Sequence, residues 1–294
     1  MPFSQNDSTA SVFTVFLRLG LRSFGGPIAH IGYLYDEFVA RRRWLTDEQF
    51  TQSLAICQML PGPASSQLGF LIGLLRAGWG GALAAFVGFT GPSAILLILL
   101  ARYAPVLDDG LGIPVIHGLK LAAVAVVAHG VLRMGQKLTP DVTRLIIALG
   151  SMITLLLAGS ASLQVLVIAI GALAGMVWCR DTPSALSSWS VPAIGARSAV
   201  IAALIFCVGL LAALFWPAST PTLSSVAAAF YRAGALVFGG GHVVLPLLEQ
   251  SLVETGWMSV DTFLLGYGAA QAIPGPLFSL AGYLGAALSL GVPA

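Results

Sequence analysis

Charge is what this chain has least of. Only 9% of its 294 residues are Asp, Glu, Lys or Arg, where a soluble domain carries about a quarter. The 14 basic and 12 acidic residues leave a net charge of +2, which points to no charged partner. No basic patch interleaved with aromatics occurs, which argues against nucleic acid. Cysteine is scarce too. Cys57, Cys179 and Cys207 are scattered in apolar stretches without metal or redox spacing, and their odd number argues against a disulfide framework. They read as small buried hydrophobes. No Gly-x-x-x-x-Gly-Lys-Ser/Thr loop, HExxH or Ser-His-Asp order is present, so neither ATP hydrolysis nor another enzymatic activity is expected. His117 and His129 lack clustered ligand partners, and neither a metal site nor a cofactor is expected. The polar stretch Met1–Ala10 has no charged region before an apolar core, so no cleaved signal peptide is expected.

Apolar residues fill the space that charge leaves. Hydrophobic residues make up 57% of the chain, and mean hydropathy is +0.91. Thirty-four glycines and sixteen prolines suit membrane helices, which tolerate both. The composition predicts an all-α polytopic protein of the lipid bilayer. Segments of about 20 apolar residues place spans at Ala82–Tyr103, Val115–Leu138, Val142–Gly159, Ser162–Cys179 and Ile194–Trp216.

An unusual pattern occurs twice. The first block holds Phe16, Arg18, Gly20, Phe24-Gly25-Gly26-Pro27, Trp44, Phe50, Gln58 and Pro61-Gly62-Pro63. The second holds Phe230, Arg232, Gly234, Phe238-Gly239-Gly240-Gly241, Trp257, Phe263, Gln271 and Pro274-Gly275-Pro276. The Phe-Gly-Gly motifs are displaced by 214 residues (24 to 238) and the Pro-Gly-Pro motifs by 213 (62 to 275). Apolar segments broken at matching places point to a repeat-built transporter. Ser11–Phe24, Ile28–Ala40, the helix capped by Thr46 with Gln49 as its capping box, and Ala64–Ala77 are each too short to span. They read as half-helices, either discontinuous spans or re-entrant hairpins, and such backbone belongs where it lines a cavity or packs inside protein.

The division expected is 1–180 for the first repeat, 181–193 for a linker and 194–294 for the second repeat, which is shorter than the first by about the length of Ala82–Cys179. Arg41-Arg42-Arg43 should face the cytoplasm, whereas the matching stretch Glu249–Gly256 carries Glu249 and Glu254 and no base. Five spans between the blocks make the two repeats inverted, although Arg102 and Lys120 strain that count.

Phe24-Gly25-Gly26-Pro27, Arg41–Trp44 and Gln58-Met59-Leu60-Pro61-Gly62-Pro63, with their echoes at 238–242 and 271–276, resemble the bacterial chromate ion transporter family. The resemblance covers essentially the whole chain. It implies a multi-pass inner-membrane transporter that exports chromate, a tetrahedral dianion like sulfate, driven by the proton motive force. Two alternatives stay open: a carrier or channel for another inorganic anion, and an inactive, shortened membrane subunit. A homodimer is the assembly kept open.

Candidate anion-binding residues follow from the breaks. Gly25, Gly26, Gly239 and Gly240 open one pair of half-helices, and Gly62 and Gly275 sit in the Pro-Gly-Pro turns. Free N–H groups and the positive dipole end beyond such turns suit an anion, with Ser65 and Ser66 as hydroxyl donors. A kink serving only packing is the plainer reading of either turn. Arg18 and Arg232 recur at matching positions, where guanidinium would grip an oxyanion or snorkel from a helix end. Gln58 and Gln271 each precede a turn by three residues and would either donate to an anion or tie down broken backbone. His30, His242 and Glu37 are the candidates for coupling a proton.

Overall fold

The structure is a computed structural model, and it describes residues 7–103, 114, 117–118, 121, 132, 139, 141–158, 161–179, 195–217, 220–237 and 244–288. Gly239, Gly240, His242, most of Val115–Leu138 and the 181–193 stretch lie outside the described residues. Among the described residues the structure is helical, without strands. Contacts divide the chain into two compact units. Met1–Val124 with Ser190–Ala294 forms one, and Ala125–Trp189 the other. The second unit contributes α5 (Val142–Ala158) and α6 (Ala161–Trp178), which pack on each other.

The larger unit holds both motif blocks. Helix α1 (Thr9–Gly20) starts where the Ser8 hydroxyl accepts the Ser11 N–H. It buries Val12, Val15, Phe16 and Gly20, the spacing of one helical face. The helix ends at Gly20, four residues before the expected Phe24, because that end lies flat on another backbone. A Cβ on Gly20 would stand 2.6 Å from the Phe89 carbonyl, and one on Gly88 would stand 2.8 Å from that of Phe13. Small residues at such a crossing are how membrane helices approach closely. Helix α2 (Gly26–Tyr35) follows and runs into a π-helical turn, Asp36–Arg41. Helix α3 (Asp47–Met59) carries the expected capping box between Thr46 and Gln49.

Helix α4 (Ala64–Tyr103) is not straight. Ala77 and Gly78 leave helical geometry, and the Gly73 and Gly81 backbones meet in van der Waals contact. Eight residues of straight helix would separate them by about 12 Å. The helix therefore turns back on itself at the place where Ala64–Ala77 was expected to end. By length and apolar composition, α4 and Arg197–Phe215 are sufficient to cross a bilayer. Both arms of α4 receive α1, and α2 and α3 pack on it as well.

The second block begins with α7 (Ala196–Phe215), which packs on α8 (Leu223–Ala235). Val200, Ile201, Leu204, Ile205, Val208 and Leu211 are all more than half exposed, an apolar surface suited to lipid. Helix α8 buries Val226, Ala229 and Ala233 behind a Thr222 cap. Then come α9 (Val244–Leu252), α10 (Val260–Ala272) capped by Ser259, a 3-10 turn at Leu277–Ser279, and α11 (Leu280–Ala287) against α4. Helix α10 lies 213 residues from α3 at both ends, and the buried Phe50 and Phe263 occupy the same place in each.

Candidate functional site

Both Pro-Gly-Pro turns adopt one backbone shape. Leu60 and Ile273 leave their helices extended, with ψ of 147° and 140°. Gly62 and Gly275 follow with φ of 124° and 128°, a region open to glycine and strained for other residues. The turns dock crosswise. Gly62 donates its N–H to the Val237 carbonyl at 2.7 Å, and Gly275 donates to the Ser23 carbonyl at 2.9 Å. Ser23 and Val237 are the residues just before Phe24 and Phe238. Each turn thus seats on the chain break of the other block.

At the first break, Gly25 and Gly26 take φ of 92° and 76° and open α2. Gln271 lies over this helix start, since a Cβ on Gly26 would be 3.2 Å from its Oε1. Its Nε2 donates to the Tyr267 hydroxyl at 3.0 Å. His30 is fully buried one turn further on. Its Nε2 lies 3.1 Å from the Ser23 carbonyl, the same oxygen that takes the Gly275 N–H. The Phe89 ring meets it edge-on at 5.7 Å, and Nδ1 has no hydrogen-bond partner.

Beyond the first Pro-Gly-Pro turn, Ser65 is buried and Ser66 half-buried at the start of α4. Gln67 closes this turn. Its Nε2 donates to the Pro61 carbonyl at 2.7 Å, and its Oε1 is buried without a partner. Gln67 belongs with the candidate residues, although its only sequence signal is its place four residues after the turn. Gln58 is half-buried in the last turn of α3. At the second turn, Ser93 of α4 lies against Gly275 where Gln67 lies against Gly62.

The cations stand apart from this cluster. Arg18 and Arg232 occupy the last turns of α1 and α8. Arg18 is exposed and Arg232 half-buried, and among the described residues no ion pair holds either. Glu37 is occupied by Arg41 at 3.2 Å and Arg42 at 2.5 Å. Arg42 and Arg76 both approach the Trp44 ring, which stacks on Phe38. An open groove of about 480 Å³ bordered by Trp79, Ile201, Ile205, Phe206 and Tyr231 is apolar and offers an anion no cation. Among the described residues, no cluster of His, Cys, Asp or Glu has the makings of a metal site.

The chain resembles known proteins along most of its length. A family model described as "Chromate transporter" matches residues 10–176 and 224–294. A probable chromate transport protein of Synechococcus elongatus is 29% identical over 283 residues, covering 92% of this chain and 67% of that protein. A chromate transport protein of Cupriavidus metallidurans is 29% identical over 274 residues, covering 92% and 65%. An uncharacterized transporter of Bacillus subtilis is 34% identical over 117 residues, 40% of this chain and 64% of that one. The chain thus spans about two thirds of the length of these chromate transport relatives. No solved structure matches it.

Proposed function

Because this chain belongs to the chromate transporter family, and is on that ground a membrane protein, we propose that it exports chromate across the inner membrane of a bacterium at the expense of the proton motive force. The observation that carries the reading is the crosswise docking of the two Pro-Gly-Pro turns. Two broken segments meeting at helix starts make a compact site of free N–H groups, in the manner of transporters built from discontinuous helices. A tetrahedral dianion suits such a site, and Gln271, Ser65 and Ser66 add donors beside it. Sulfate shares the charge and shape and is expected to compete.

The two blocks are proposed as inverted repeats. Helix bounds 213 residues apart, equivalent turn conformations and the reciprocal hydrogen bonds support a pseudo-twofold relation, and the contrast between Arg41–Arg43 and Glu249/Glu254 supports the inversion. Alternating access then rocks one block against the other around the anion. Arg18 and Arg232 are proposed to receive the dianion from the helix ends they occupy.

Everted vesicles test the reading. With this chain as the sole chromate transporter, an imposed pH gradient should drive chromate uptake, and a protonophore should abolish it. Uptake that survives the protonophore and requires ATP overturns the energy source. Failure to restore resistance in a chromate-sensitive host, with normal amounts in the membrane, overturns the activity of this chain.

A further inference from the structure

We propose that His30 is the proton-carrying group of the transport cycle, and that it holds its proton only while the Gly275–Ser23 contact is open. The inference rests on the transport reading above for its purpose, but its geometry stands alone. A carbonyl oxygen can only accept hydrogen bonds. The Ser23 carbonyl accepts from Gly275 and faces His30 Nε2, so Nε2 carries a hydrogen. The other ring nitrogen, Nδ1, is buried without a partner. A proton there would place a second N–H and a full charge where no acceptor waits, which is costly. The docked arrangement therefore holds a neutral ring, and a charged ring requires the turn to lift away and admit water or the anion.

No carboxylate is arranged to share the proton. Helix α2 itself carries Tyr33 and Tyr35, and the chain before it Arg18 and the exposed Arg22. Helix α4 carries Arg76 in its first arm and Arg102 in its last turn, and the turn at 273–277 has no titratable group. Helix α10 contributes Tyr267 and, at its opposite end, Asp261, and α11 contributes Tyr283. The matching position in the second block is Val244, which is 3% exposed. An apolar side chain thus fills that place when packing is the only task, and a histidine with an empty lone pair is there for another purpose. Proton uptake with the turn lifted and release with it docked is the alternation an exchanger needs.

The test uses the full chain with Cys57, Cys179 and Cys207 replaced by alanine, reconstituted in liposomes. Ser23→Cys puts a thiol at the buried contact and keeps its carbonyl. Its modification by a small hydrophilic thiol reagent is measured without chromate, relative to an exposed Ser8→Cys control. On lowering the pH from about 8 to about 6, the relative rate should rise roughly tenfold, across the range in which histidine takes up its proton. His30→Gln or His30→Asn keeps an N–H donor that does not titrate, so the profile should become flat. Those variants should retain chromate counterflow and lose uptake driven by a pH gradient. A flat profile with His30 in place, an acid-driven rise that persists in both variants, or gradient-driven uptake that survives in them overturns the proposal. Absence of counterflow with His30 in place overturns the transport reading instead, and the labelling profile still decides the role of His30.

Discussion

The backbone N–H of Gly62 and the carbonyl of Val237 are hydrogen-bonded at 2.7 Å, although they come from different motif blocks. Gly275 and Ser23 repeat the bond at 2.9 Å in the opposite sense. Neither block closes its own break, so each Pro-Gly-Pro turn supplies the donor that the other block's broken chain lacks. Buried backbone groups must be paired somewhere, and in lipid the penalty for failing is larger. The reciprocal bonds meet that demand at the point where both helical ladders stop.

The two turn glycines should differ in tolerance. Alanine at either position meets a strained φ, about 1–3 kcal/mol. At Gly62 the added methyl would stand 2.5 Å from Gln67 Nε2, the end of a flexible side chain. At Gly275 it would meet the short Ser93 side chain, whose Cβ lies 2.5 Å away and which is 2% exposed. Gly275→Ala should therefore lower the melting temperature in detergent more than Gly62→Ala does. Adding Ser93→Gly to Gly275→Ala should recover part of the loss. Equal losses with no recovery would contradict the packing described.

The crossing of α1 and α4 should reject bulk. Gly20→Val or Gly88→Val drives a side chain into backbone rather than into a movable group, and overpacking typically costs about 1–3 kcal/mol. Each should reduce the folded yield measured by size-exclusion chromatography. By contrast, Gly118→Val and Gly150→Val, which have open space, should leave it unchanged.

Inversion of the blocks makes a direct topological forecast. Arg41 and Glu254 are both exposed, so Arg41→Cys and Glu254→Cys can each be labelled. An impermeant maleimide applied to intact cells should reach only Glu254→Cys, and in everted vesicles only Arg41→Cys. Labelling of both from one side would rule out the inversion.

Arg18→Ala and Arg232→Ala should abolish chromate transport while leaving the protein in the membrane. Truncating one member of a desolvated charge pair costs about 2–5 kcal/mol, which is roughly 30- to 5000-fold in affinity. Lysine should rescue poorly, because an ammonium lacks the guanidinium fork. Normal chromate resistance in an Arg18→Ala strain would remove that arginine from the anion path.

Local signals in the sequence carried far. Thr46 and Gln49 announced their capping box, and Pro-Gly-Pro announced the ends of α3 and α10, because caps and prolines act within a few residues. The arm ending at Ala77 was legible from its length. The π-helical turn at Asp36–Arg41 was not, since it depends on how Phe38 packs on Phe16 and Trp44. The early end of α1 at Gly20 was hidden for a similar reason, as its cause is the backbone of Phe89. The candidate site divides the same way. The glycines and glutamines at the breaks were named from their repetition, and Gln271 lies against Gly26. Gln67 and Ser93 were missed, because they are not repeated and reach their glycines only through the fold.

The bond from Gly275 to Ser23 also sets an order of events during synthesis. Ser23 emerges from the ribosome among the first residues and its donor among the last. The opening segment must therefore enter the bilayer and wait, with its carbonyl unclaimed, until almost everything else has been made. A nascent polypeptide interrupted before that moment presents frayed main chain to the membrane, which marks it for membrane-bound proteases. Finished molecules are distinguished by having closed this last seam.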